Sequence, residues 1–242
     1  MTFFQLLAKF GSAAGALKAL PSLARRRAGT SIPSRSIIER ELVDTESFGG
    51  RVICAADSDY PPLLKQLSPP PPILSVKGRI ELFAGRAVAI VGARQASAAG
   101  RKMARDLSAE LSNAGFVTVS GLARGIDGEA HAASLKGGTI AVLGGGIDHL
   151  YPPQHQRLYE AIAEQGLLVS ESPFGHRATA RDFPRRNRII TGLSEGVVVI
   201  EAAERSGSLI SARKALEKTR EEMAEPGSPH GAGCAGRKRL LR

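Results

Sequence analysis

The sequence predicts an α/β protein: a doubly wound, mainly parallel sheet preceded by a small helical region. Three observations carry this expectation. Apolar runs of strand length recur from Ala87 onward, and amphipathic segments of helical period alternate with them. Four consecutive prolines, Pro69 to Pro72, mark a break from what comes before.

Taken in order, residues 1–48 read as a helical region of two or three short helices, broken at Gly11, Gly15, Pro21 and Pro33. Phe3, Phe4, Leu7 and Phe10 stand at helical spacing, which favours a packed helix. The lack of any acid before Glu39 also fits an organellar transit peptide. Residues 49–80 read as a connector holding a short strand, Arg51 to Ala55, and the proline run. That run fits neither a helix interior nor a central strand.

Residues 81–218 carry the core. Strand-like runs are Ala87 to Val91, Val117 to Ser120, Thr139 to Leu143, Leu167 to Ser170 and Val197 to Ile200. Between them, Met103, Leu107 and Leu111 share one helix face, Ile126, Ala130 and Ala133 another, and a third is centred on Leu158. Continuous apolar strands separated by helices predict a parallel sheet covered on both faces. The handedness of such crossovers makes it a Rossmann-like domain. Residues 219–242 read as an irregular basic tail, in which Glu221, Glu222 and Glu225 interrupt what could have been another strand.

The charge points to a partner class. There are 33 Lys and Arg against 23 Asp and Glu, a formal net charge of +10. A protein this basic attracts polyanions, nucleic acid first and an anionic membrane surface second. The excess is clustered arginine, at 25–27, 177–188 and 237–242, and arginine forks suit phosphate better than a diffuse surface. Two distant cysteines, Cys54 and Cys234, without CxxC spacing, exclude a disulfide framework and a zinc pattern, and fit a reducing cytoplasm. No apolar run reaches membrane-spanning length.

In such a sheet, ligands meet the loops at the carboxyl ends of the strands. After the first core strand, Gly92 and Arg94 lead through Ser97 into a helix, whose N-terminus offers unpaired N–H groups to an anion. Only Gly92 is well placed for GxGxxG, so no dinucleotide fingerprint is present; an ordinary tight turn is the plainer reading. After the second, Gly121 and Gly125 flank Arg124, with Asp127 and His131 on one helix face. That pair reads either as acid–base chemistry or as a cap with a structural partner. After the third, Gly144 and Gly145 open a glycine triplet that suits close backbone contact or a flexible turn.

The strongest segment is Phe183-Pro184-Arg185-Arg186-Asn187-Arg188. Five arginines lie between 177 and 188 against one acid, Asp182, and Phe183 stands beside them. An aromatic next to arginines is the pairing expected where bases stack and phosphates are gripped. Arginines at a helix start oppose its dipole unless an anion is present. Finally, Ser206, Gly207 and Ser208 either complete a phosphate site or cap a helix.

The segments IVGARQAS, SGLARGIDGEAH, FPRRNRIITGLS and VIEAAERSGSLISA, in this order, resemble the DNA-processing protein A (DprA/Smf) family over roughly residues 50–218. The resemblance implies a cytoplasmic, non-catalytic homodimer without cofactor that binds single-stranded DNA in natural transformation and recombination. It further implies displacement of single-strand-binding protein and delivery of the strand to the RecA recombinase. By resemblance, Arg94 grips a phosphate and Phe183 meets a base. Arg185, Arg186, Asn187 and Arg188 line the same basic pocket, with Arg124 nearby. Residues 1–48 look like a shortened SAM-like domain. The chain departs from the family around Glu222 to Glu225 and from His230 onward, and the winged-helix domain of many members is expected to be absent. A nucleotide-binding or nucleotide-hydrolysing Rossmann-like enzyme is the alternative, with Glu201 or Glu204 as its acid.

Overall fold

The computed structural model describes residues 3–24, 32–201 and 221–224. The arginine clusters at 25–27 and 237–242, and Ser206, Gly207 and Ser208, lie outside the described residues.

The helical region comprises α1 (Phe3–Phe10), α2 (Ala13–Ala24) and α3 (Arg35–Ser47). Gly11, at φ +74°, ends α1 in a conformation that glycine adopts at little cost. Gly15 and Pro21 lie within α2 and do not break it. Ser34 begins α3, its side chain accepting from the Ile37 N–H.

The remaining elements are β1 (Arg51–Cys54), α4 (Pro62–Lys65), β2 (Ile73–Gly78), β3 (Ala87–Gly92), α5 (Ala98–Asn113), β4 (Val117–Ser120) and α6 (Ile126–Ser134). They continue with β5 (Thr139–Val142), α7 (Gln156–Gln165), β6 (Leu167–Ser170), α8 (Asp182–Gly192), β7 (Gly196–Ile200) and β8 (Glu221–Ala224). Among the described residues these form one eight-stranded sheet in the order β1-β2-β6-β5-β4-β3-β7-β8. Pairing is parallel from β6 to β8, and antiparallel between β1 and β2 and between β2 and β6. From β3 the chain winds out through β4 and β5 to β6, then returns past β3 to lay down β7. The doubly wound, mainly parallel sheet is the one expected.

Both faces are covered, which is why the strands read as unbroken apolar runs. Along β3, Ala87, Ala89 and Val91 face a core completed by Leu64 and Leu67 near α4 and by Ile189, Ile190 and Leu193 of α8 and its cap. Val88 and Ile90 face the other side, against Ala104 of α5 and Ile126 and Ala130 of α6. Farther along that side, Ala141 and Leu168 meet Tyr159 and Ile162 of α7. Ile90, Ile126 and Leu168 are fully buried, and each such side chain contributes about 1.5–3 kcal/mol.

Three expectations need correction. The connector over 49–80 supplies two strands of the sheet: β2 emerges directly after the prolines and pairs on both sides. The irregular tail from 219 begins instead with β8, whose backbone pairs in parallel with β7 despite its two glutamates. On α5 the buried line is Gly100, Ala104 and Ser108, one residue round from the one expected, and Met103 is exposed.

Candidate nucleic-acid interface

The winding reverses between β3 and β7, and in such sheets ligands meet the carboxyl ends of the strands beside that reversal. The loops after β3, β4 and β5 and the start of α8 converge there.

Arg186 organises the floor. It is buried, and its Nη1 donates to the carbonyl oxygen of Gly121 at 2.6 Å and to that of Val142, satisfying acceptors left at the ends of β4 and β5. Gly121 makes the room: a Cβ there would stand 2.5 Å from Nη2 of Arg186. Asp127, also buried, accepts from the N–H of Gly121 at 3.1 Å and of Ala123 at 3.4 Å. Burial brings the Arg186 pKa down to about 10, opposed by the field of Asp127, so the guanidinium stays charged at neutral pH. Burial likewise pushes the Asp127 carboxyl upward, against the pull of Arg186.

His131 belongs to this floor, its ring nitrogens meeting Leu122 and Thr139 rather than Asp127. Its Nε2 accepts from the Leu122 N–H at 3.3 Å, which assigns the ring proton to Nδ1, 2.7 Å from Thr139 Oγ1. Thr139 donates onward to Thr118 O at 2.9 Å. Desolvation, reinforced by His155 and Arg186, lowers the His131 pKa to about 3, so the ring is neutral and fully occupied as a strut.

Above the floor lies an aromatic and cationic surface. Cζ of the exposed Arg94 stands 5.3 Å from the centre of the Phe183 ring, and Cζ of Arg186 stands 5.9 Å from it. Both distances are within reach of cation–π attraction. Tyr151 packs against Phe183 at 5.5 Å between ring centres and remains 46% exposed. Tyr151 is the member that sequence reasoning missed. Its signal was an aromatic closing the loop that begins with the glycine triplet, at the carboxyl end of a strand. Arg124 is exposed on the adjoining loop, and neither Arg94 nor Arg124 has an ion pair among the described residues.

The glycines bring these loops together. At Gly144 a Cβ would lie 3.2 Å from the Phe183 ring, and at Gly145 it would lie 2.7 Å from His176 O. Both are buried, Gly144 against Phe183 and Gly145 against the 172–178 loop. That loop is tied down further by Asp182, which accepts from the Thr179 N–H at 2.7 Å and lies 3.0 Å from His176 Nε2. These bonds, Thr179 first, hold the Asp182 pKa near 2. Gly125, at φ +75°, lets the β4 loop touch the β3 loop, where a Cβ would stand 2.8 Å from Arg94 O. Gly92 likewise leaves no space, its Cβ falling 2.5 Å from Ile126 Cγ1.

The arginines of α8 do not share one pocket. Arg186 turns inward beside the buried Asn187, whereas Arg185 and Arg188 turn to Glu171 at the end of β6. Arg185 Nε reaches Glu171 Oε2 at 3.2 Å; Arg188 Nη2 bonds Oε1, and its Nη1 donates to Pro69 O at 3.3 Å. Ser97 is also committed. It caps α5, accepting from the Gly100 N–H at 3.0 Å, while its own N–H donates to Glu201 Oε2 at 2.8 Å and its hydroxyl to Oε1. Glu201, at φ +53°, thus lays its carboxylate over the first turn of α5, where a Rossmann-type site would hold a phosphate. Among the described residues, no group of three or more His, Cys, Asp or Glu is placed to hold a metal ion. No described helix is long and apolar enough to cross a membrane.

Comparison with known proteins bears on this crevice. Residues 51–242 match the family model of DNA recombination-mediator protein A. The chain belongs to that family. Residues 1–43 match the DprA-like N-terminal HHH domain, in accord with the three helices seen there. The chain is 44% identical over 194 residues to the DNA processing protein DprA of Bacillus subtilis (strain 168), covering 79% of this chain and 65% of that one. It is 44% identical over 215 residues to Protein Smf of Escherichia coli (strain K12), covering 88% of this chain and 57% of that one. It therefore spans a little under two thirds of the length of these curated relatives. Among solved structures, DprA from Streptococcus pneumoniae superposes with a TM-score of 0.81 at 34% identity, covering 95% of this chain and 76% of that one. DprA from Helicobacter pylori, described for its single-stranded DNA binding mode, gives 0.73 at 29% identity, with coverages of 78% and 86%.

Proposed function

We propose that this member of the DNA recombination-mediator protein A family binds single-stranded DNA without catalysis and delivers it to the RecA recombinase in transformation and recombination. The observation that carries the reading is the exposed Arg94 guanidinium over the Phe183 ring, with Tyr151 beside it and Arg124 near by. An aromatic face accepts any base, and guanidinium groups without an ion pair among the described residues are placed to grip phosphate. A DprA of known structure is described for its single-stranded DNA binding mode, which supports the same ligand here. Displacement of single-strand-binding protein, a homodimer and a cytoplasmic setting belong to this proposal through family membership. The nucleotide-enzyme alternative needs a free acid beside a phosphate loop. Glu201 is bonded to Ser97 instead, which weighs toward binding; Glu204 lies outside the described residues.

The experiment is fluorescence anisotropy with labelled single- and double-stranded oligonucleotides across a salt series, comparing the wild type with Arg94→Ala and Phe183→Ala. Tight, salt-sensitive preference for single strands is expected. Arg94→Ala lowers the log–log salt slope by about 0.7, the amount for one phosphate contact on a single strand. Phe183→Ala weakens binding by about 1–3 kcal/mol with the slope unchanged. Equal weak binding to both forms, unmoved by either substitution, would leave only nonspecific charge.

A further inference from the structure

A second feature adjoins the start of α8. A cleft of about 370 Å³ lies between α1, the proline run and α8, walled by Phe3, Phe4, Pro69 and Pro70 and edged by Arg185 and Arg188. We propose that this cleft is a second subsite for the same single strand, taking a nucleobase between its aromatic and proline walls and the adjoining phosphate on Arg185. It rests on the single-strand reading given above.

Three observations lead there. First, α1 has an apolar face yet no buried residue, so its aromatics do not belong to the core. The rings of Phe3 and Phe4 meet edge to face at 5.2 Å, and Phe3 stays 40% exposed, which leaves a ring surface facing open space. Second, the charge of the rim is complementary to phosphate. Two guanidinium groups share one carboxylate, that of Glu171, and Arg188 is further held by Pro69 O. Arg185 has its side chain 66% exposed and pairs with Glu171 through Nε, which leaves its terminal nitrogens without an ion pair among the described residues. Third, the cleft lies across the first turn of α8 from the first surface. Phe183 and Arg185 are two residues apart on α8 and point to opposite sides of its first turn, as the helical advance requires. Phe183 meets Gly144 and Arg94, whereas Arg185 meets Glu171. A strand crossing the N-terminus of α8, a distance of about 10–12 Å, meets both.

The test is an oligothymidylate length series from about 4 to about 16 nucleotides, read by anisotropy. It uses the full chain and three variants: Phe3→Ala with Phe4→Ala, Ser68→Glu and Ser68→Lys. Ser68 lines the cleft and is exposed, so its two variants alter the cleft's charge without touching α1. The shortest oligonucleotides, served by the Arg94 surface, should bind all four chains alike. For the longest, the aromatic double variant and Ser68→Glu should bind about tenfold more weakly, and Ser68→Lys more tightly. If the affinity gained with length is the same in all four chains, the cleft is not a subsite. Arg94→Ala separates the two readings. If it abolishes binding of short oligonucleotides while the cleft variants do nothing, the cleft proposal alone falls. If it leaves their binding intact, the primary reading falls.

Discussion

Gly121 and Arg186 show how a glycine at a strand end decides where a cation goes. Because Gly121 lacks a Cβ, the Arg186 guanidinium enters the crevice floor and satisfies two carbonyl oxygens. Gly121→Ala would push a methyl group to 2.5 Å from Nη2 and dislodge it. The cost should be about 1–3 kcal/mol, from overpacking and from carbonyl groups left unpaired. A lower urea midpoint at unchanged m-value is the expected sign; an unchanged midpoint would mean that the guanidinium has another low-energy position. At this scale the sequence was partly legible. The arginine and aromatic content around Phe183 was plain, but the division of labour among the arginines was not. The clue was present: Arg186, Ile189, Ile190 and Leu193 follow the i, i+3, i+4, i+7 spacing of an inward face. The charge of Arg186 masked it.

At the scale of elements, strand runs bounded by turns were read nearly to the residue, as with β4 and β6, because burial on both faces demands unbroken apolar stretches. β2 was missed since the prolines before it suggested a connector. β8 was missed because glutamate is a poor strand former, and pairing along β7 outweighs that preference. The roles of Gly144 and Gly145 were illegible for a related reason: they answer to a loop some thirty residues later, which periodicity does not reveal. The α5 start is now testable as a unit. Ser97→Ala removes the cap to Gly100 and a bond to Glu201, and should cost about 0.5–2 kcal/mol. Faster hydrogen exchange confined to the first turn of α5 would identify the cap as the cause, whereas uniform acceleration would point to global loosening.

For the molecule as a whole, acid stability follows from His131. The folded chain holds this ring neutral down to about pH 3, whereas the unfolded chain protonates it near its ordinary value of 6.5. Between those values the unfolded state binds more protons at this group, so the His131 contribution to stability falls as the pH falls. The raised Asp127 carboxyl acts the other way. The slope is about 1.4 kcal/mol per pH unit for one group. Below 3.8 Asp182 acts in the same direction: its carboxyl is depressed to about 2, and the stability it adds is lost as pH falls through that window. Urea unfolding of the wild type and His131→Gln at several pH values from about 7 to about 4 tests this; equal slopes in the two chains would absolve His131.

The carboxylate of Glu201 over the first turn of α5 has a consequence for how this protein answers to its surroundings. A ligand raises the stability of a protein only by binding the folded state more tightly than the unfolded one. At this helix start the chain supplies its own counter-anion, present at a fixed ratio of one per molecule and never diluted. An anion from outside would have to displace this carboxylate before it could occupy the first turn of α5. Arg94 has no such internal counter-anion among the described residues, so on the proposed reading its partner comes from outside.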